Sequence, residues 1–159
     1  MGIGDSYQGG ILAYILSDNG VLADDPGYDA NVQHGLIAAT ADQDGGAGIA
    51  WITGGSTQTT WVNGSAYGGT STTIGTGQAN TNAMKGQTGY DGGAAKVCDD
   101  YTITVDSVTY SDWFLPSKDE LNQLYLNRVA IGGFAGNYFW GSSESSANAA
   151  WYQGFDGGY

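Results

Sequence analysis

The sequence predicts an α+β fold of short antiparallel strands, short helices and much irregular coil. Three observations carry this. Short apolar runs are bounded by glycine and turn residues, which is the pattern of strands. One segment combines a helix start signal with helical periodicity. Gly supplies 28 of the 159 positions, many of them in Gly/Ser/Thr/Asn stretches, which punctuate regular structure rather than continue it.

Taken in order, Gly9–Leu16 (GGILAYIL) reads as a strand that ends in the turn Ser17-Asp18-Asn19-Gly20. Residues 17–33 are acidic and rich in turn residues, hence a surface loop. Gly35–Thr40 (GLIAAT) is a second buried strand, and Ile49–Ile52 is expected to be a short third one. From Gly54 to Gly77 the chain reads as coil with Trp61 and Tyr67 embedded; such long loops are usually functional or pinned by their aromatics. Gln78–Met84 and Ala94–Tyr101 are weakly helical, and Thr102–Tyr110 alternates β-branched residues around a turn at Asp106-Ser107.

Ser117-Lys118-Asp119-Glu120 has the form of a capping box, in which the serine hydroxyl and the glutamate carboxylate satisfy amides at opposite ends of the first turn. Leu121, Leu124, Tyr125 and Arg128 then recur at helical spacing, giving an amphipathic helix that ends near Asn127–Val129, with Gly132-Gly133 as its stop. Finally, Phe139–Ser143 and Ala149–Phe155 read as two strands linked by a polar loop. Alternation in the second puts Trp151, Gln153 and Phe155 on one face and Tyr152, Gly154 and Asp156 on the other.

The length fits a single domain spanning 1–159. Lys and Arg number 4 against 16 Asp and Glu, a formal charge of −12. That excludes the basic stripe on which nucleic-acid binding depends and argues against anionic membranes. No apolar run approaches the roughly 20 residues of a membrane span. The single cysteine excludes an intrachain disulfide and multi-cysteine metal sites. No secretion signal is visible, which fits both a cytosolic protein and a piece of a larger exported or virion protein.

The catalytic inventory is close to empty. His34 is the only histidine and sits beside a strand, where a hydrogen-bonded structural role is expected. Cys98 falls on the apolar side of a small helix and reads as an inert core thiol. Asp42-Gln43-Asp44-Gly45 opens like a calcium loop but lacks the later ligands and the closing glutamate. Glu120 is consumed by the cap and Glu144 has no obvious partner, so no glycosidase pair forms. No catalytic residue, metal ligand or cofactor is assigned, which favours a binding module over an enzyme.

Several segments together resemble a known family. They are Ile3–Gly10 (IGDSYQGG), His34–Ala39 (HGLIAA), Asp112–Leu121 (DWFLPSKDEL), Phe139–Glu144 (FWGSSE) and Ala150–Phe155 (AWYQGF). In this order they resemble the bacterial domains typified by the C-terminal domain of a collagen-like adhesin, and the variable proteins of diversity-generating retroelements. The resemblance implies a C-type-lectin-like fold with two short helices. It also implies a variable segment at about 137–159, in which a fixed Trp, Gln and Phe alternate with positions mutated from adenine-containing codons.

Trp151, Gln153 and Phe155 match the fixed set. Tyr152, Gly154, Asp156, Gly157 and Tyr159 stand at changeable positions, as do Ser145, Ser146 and Asn148 in the loop, with Tyr138 and Gly141 beside them. These ten are the expected ligand-binding residues, and Trp113, Trp140, Trp151 and Phe155 the expected scaffold. Tyr, Ser, Gly and Asn are also the residues that make adaptable recognition surfaces.

The implied partner is a protein or glycan on a target cell or host surface, met by a domain displayed on a virion or cell as part of a larger protein. Homo-oligomers are compatible with this; nucleic acid and membrane insertion are not. The alternative is a fixed adhesin or carbohydrate-binding domain of the same fold. An enzyme of the formylglycine-generating group shares that fold but would be expected to use a cysteine pair. The family continues into a further strand with an arginine-containing ending. Its absence is expected to leave an edge open near Gly9–Leu16.

Overall fold

The structure, a computed structural model, describes residues 1–16, 31, 34–53, 70–87, 90–134, 138–146 and 149–156. The chain is mixed α+β, with short helices and small antiparallel sheets.

The first sheet holds β1 (Ser6–Tyr7), β2 (Gly10–Ile15) and β3 (Gly35–Ala39), antiparallel and in that order. β1 and β2 turn through Gln8 and Gly9, both at positive φ (49° and 83°), as a tight two-residue hairpin requires. A side chain on Gly10 would come within 2.6 Å of the Ala38 carbonyl oxygen, so the close approach of β2 and β3 there depends on glycine. The register slips between Leu12 and Tyr14, leaving Ala13 as an extra residue in a β-bulge. Ala13 is fully buried against Ala38 and Ile131, and its carbonyl accepts from Asn127 Nδ2 at 2.9 Å. The edge expected to be open near Gly9–Leu16 is covered in part: β1 pairs with Gly10 and Ile11, while among the described residues the rest of β2 has its strand partner only in β3, and β1 and β3 are the outer strands.

Helix α1 (Gly77–Lys85) and helix α2 (Ala94–Asp100) follow. Ile49–Ile52 forms no strand. Its carbonyls are spent otherwise: those of Ala50 and Trp51 both accept from the first amide of α2, at 3.2 Å. The hairpin β4 (Ile103–Val105) and β5 (Val108–Tyr110) turns at Asp106-Ser107 as the alternation predicts, with Thr104 and Thr109 hydroxyls paired across it at 2.8 Å.

Helix α3 (Lys118–Leu126) begins with the expected capping box. The helical run is broken at Asn127, after which a single turn, α4 (Arg128–Ile131), continues. The described residues thus hold four short helices rather than two. β6 (Tyr138–Ser146) and β7 (Ala149–Gly154) form an antiparallel ribbon.

One core cluster gathers Trp51, Met84, Ala94, Ala95, Leu115 and Ala150; a second packs the first sheet on α4. Phe155 sits centrally in an aromatic group, with ring centroids 4.4 Å from Phe134, 4.7 Å from Phe139 and 5.7 Å from Tyr125.

A buried polar layer joins α1, α3 and β6. Glu120 is 2% exposed, and its carboxylate accepts from the amides of Ser117 (2.7 Å), Gly75 (2.7 Å) and Gly77 (3.4 Å). Ser142 Oγ accepts from Asn80 Nδ2 at 3.1 Å. Ser143 Oγ donates to the Ser71 carbonyl at 2.7 Å and accepts from the Lys118 amide at 2.9 Å. Buried hydroxyls and carboxylates are tolerable because these partners replace water.

Candidate functional site

The β6–β7 register sets two faces. Trp140 lies opposite Tyr152 and Tyr138 opposite Gly154, so these four share one face. Phe139 and Gln153 share the other. On the first face Tyr138 is 67% exposed and Tyr152 is 51% exposed. Their rings meet edge-on at 5.5 Å, and Tyr152 meets Trp140 at 5.8 Å. Trp140 is half-buried and held by its indole N–H, which donates to the Ile49 carbonyl at 2.9 Å. A rigid indole therefore backs two open tyrosines.

This face forms one wall of a groove of about 890 Å3. β3 supplies another wall, with every residue from Gly35 to Ala39 lining it, and Leu12 and Tyr14 of β2 beside them. α2 contributes Val97 and Cys98, and the segment before α3 contributes Trp113 and Phe114. The size is that of ligand sites in general, and so is the mixture of apolar walls with few polar groups.

The acidic residues lining the groove are Asp42, Asp44, Asp112 and Glu120; no Lys or Arg lines it, and Met1, which carries the N-terminal ammonium, does. Burial and the neighbouring Asp44 both raise the pKa of Asp42. The four cations of the chain are engaged elsewhere: Lys85 on Asp99, Lys96 on Asp100, Lys118 on Asp119 and over the Trp151 ring, Arg128 over the Tyr125 ring. Among the described residues no three His, Cys, Asp or Glu side chains come together as a metal-ligand set.

The structure separates the sequence-predicted site residues. Tyr138 and Tyr152 come together on the groove wall. Ser146 and Asp156 are exposed, and Ser145 is half-buried. Gly141 and Gly154 are buried, so they offer no open surface. Gly141 instead gives its carbonyl to the Trp51 indole at 2.9 Å. A Cβ there would stand 3.4 Å from the carbonyl oxygens of Pro116 and Trp151, an ordinary packing contact, so a side chain at this position would pack inside rather than meet a ligand. Asn148, Gly157 and Tyr159 lie outside the described residues.

The expected scaffold also divides. Phe155 is 5% exposed, as a core anchor should be, but Trp151 is 40% exposed. At the rim, the Trp151 ring is covered by the Lys118 ammonium at 5.0 Å. Trp113 is half-buried and packs edge-on against Tyr101 at 5.1 Å.

Cys98 packs against the first core cluster. Burial, then the charges of Asp42 and Asp99, push its thiol up to about 12. It is protonated at neutral pH and no nucleophile, although His34 lines the same groove. Glu144 is 1% exposed, and burial pushes its carboxyl up to about 7. Its Oε2 has no partner among the described residues.

Sequence reasoning missed the β3 wall and its acidic rim. β3 was legible as a strand, but that it lines one groove with Tyr138 and Tyr152, some hundred residues away, is something no local pattern encodes. In comparisons with known proteins, no family model, no curated protein and no solved structure matches this chain.

Proposed function

We propose that this chain is a non-enzymatic recognition domain with a C-type-lectin-like fold. Its β6–β7 face meets a protein or glycan on a target surface, and its open positions are varied by a retroelement. The observation that carries the reading is the pair Tyr138 and Tyr152, exposed side by side on a groove wall and backed by the anchored Trp140. Tyrosine supplies broad amphipathic contact area at small rotamer cost, and anchors of this kind dominate binding energy. Substituting them leaves the core intact, which a diversified surface requires. Among the described residues the contact set is Tyr138, Ser145, Ser146, Tyr152 and Asp156. Display on a virion or cell surface, within a larger protein, belongs to the same proposal.

Two measurements test it. The genome should carry a near-copy of the 3′ coding end that differs at adenines, beside a reverse-transcriptase gene. Their absence would leave a fixed adhesin, for which exposed aromatic rings that stack on neutral sugars are the supporting feature. Second, Tyr138→Ala with Tyr152→Ala should abolish attachment to target cells while the melting temperature moves by no more than about 2–4 °C. Undiminished attachment would remove the aromatic face from the function.

A further inference from the structure

Among the described residues β3 has a strand partner on one side only. It pairs with β2 on one side, and no backbone or side-chain bond from another described residue reaches the other edge of Gly35–Ala39. The five residues span about 17 Å, those of their amides and carbonyls not spent on β2 turn to the unpaired side, and all five line the groove.

An occupant must satisfy those groups. A lipid or other purely apolar molecule would fill the walls and leave the edge polar groups dry, at the cost of unmade hydrogen bonds. An extended peptide satisfies them by adding a strand, and its alternate side chains then meet the walls. Charge chooses among peptides. Asp42, Asp44 and Asp112 line the groove with no Lys or Arg, in a chain of net charge −12. Field of one sign around a cleft concentrates the opposite charge, and the same field repels a second copy of this chain.

We propose that the groove takes an extended segment of a partner protein, alternating apolar residues with Lys or Arg, which pairs with the free edge of β3. This deepens the recognition reading and rests on it for the aromatic wall. Tyr138 and Tyr152 receive the apolar side chains and the aspartates receive the cations.

The test titrates the full 15N-labelled chain with end-blocked octapeptides that alternate Lys with Val, Leu or Tyr. At least one should bind and slow amide hydrogen exchange within Gly35–Ala39 by tenfold or more. Methylating every second peptide nitrogen, in one of the two phases, should abolish binding. Asp42→Asn with Asp44→Asn should weaken it by about threefold to tenfold at low salt, and Glu-alternating peptides should not bind. The proposal is overturned if none of the three peptides binds, if a bound peptide leaves the β3 amides unprotected, or if both N-methylated forms bind like the parent. The two readings fail on different observations: unaltered cell attachment by the Tyr138→Ala, Tyr152→Ala protein removes the recognition reading, whereas β3 exchange reports strand pairing alone.

Discussion

Glu144 and Glu120 show how little a residue's identity says about its state. Both are buried carboxyls, and burial raises the pKa of both. Glu120 has three backbone amides to stabilise its charge. Glu144 has an oxygen with no partner among the described residues, and sits at about 7. A carboxyl whose folded pKa is raised binds more protons in the native state than in the unfolded state, so stability falls as pH rises from about 4.5 to about 7. For Glu144 the full loss is roughly 3 kcal/mol. Urea unfolding between pH 4.5 and 8 should show that decline in the parent protein, and Glu144→Gln should remove most of it. An unchanged slope in the variant would assign the decline to other groups. The capping role of Glu120 was legible in the spacing of Ser117 and Glu120; the burial of Ser142, Ser143 and Glu144 was not, because a Ser-Ser-Glu run reads locally as polar surface.

The β6–β7 ribbon is the element on which the recognition reading depends. Strand alternation put Tyr152 and Gly154 on one face and Gln153 on the other, as the register has them. Depth is a different quantity. Phe155 is enclosed by three aromatic rings, whereas Trp151 reaches the rim and rests under a lysine. Phe155→Ala should therefore cost about 3–5 kcal/mol. Trp151→Ala should cost only about 1 kcal/mol, the scale of an exposed cation–π contact. Chemical denaturation of the two variants checks the order, and equal losses would return Trp151 to the core. Gly154 stands opposite Tyr138, as alternation predicts, but it and Gly141 are buried, and buried glycines are packing sites rather than contact sites.

At the scale of the molecule, charge is the dominant property. With four cations already engaged and a net charge of −12, the folded chain repels itself, and salt screens that repulsion within about 10 Å at 0.1 M. Raising NaCl from 10 to 150 mM should lift the melting temperature by a few degrees in differential scanning calorimetry; a fall would show that attractive pairs outweigh the repulsion. By itself the sequence determined the α+β class, most strand and helix positions, the capping box and the acidic balance, because each rests on near neighbours or on composition. Only the tertiary structure decided that Ile49–Ile52 caps a helix instead of forming a strand, that Trp151 lies at a rim, and that β3 and two tyrosines line one groove with three aspartates. Those outcomes depend on which distant segments meet, and burial, hydrogen-bond partners and pKa values are properties of the meeting rather than of the residues alone.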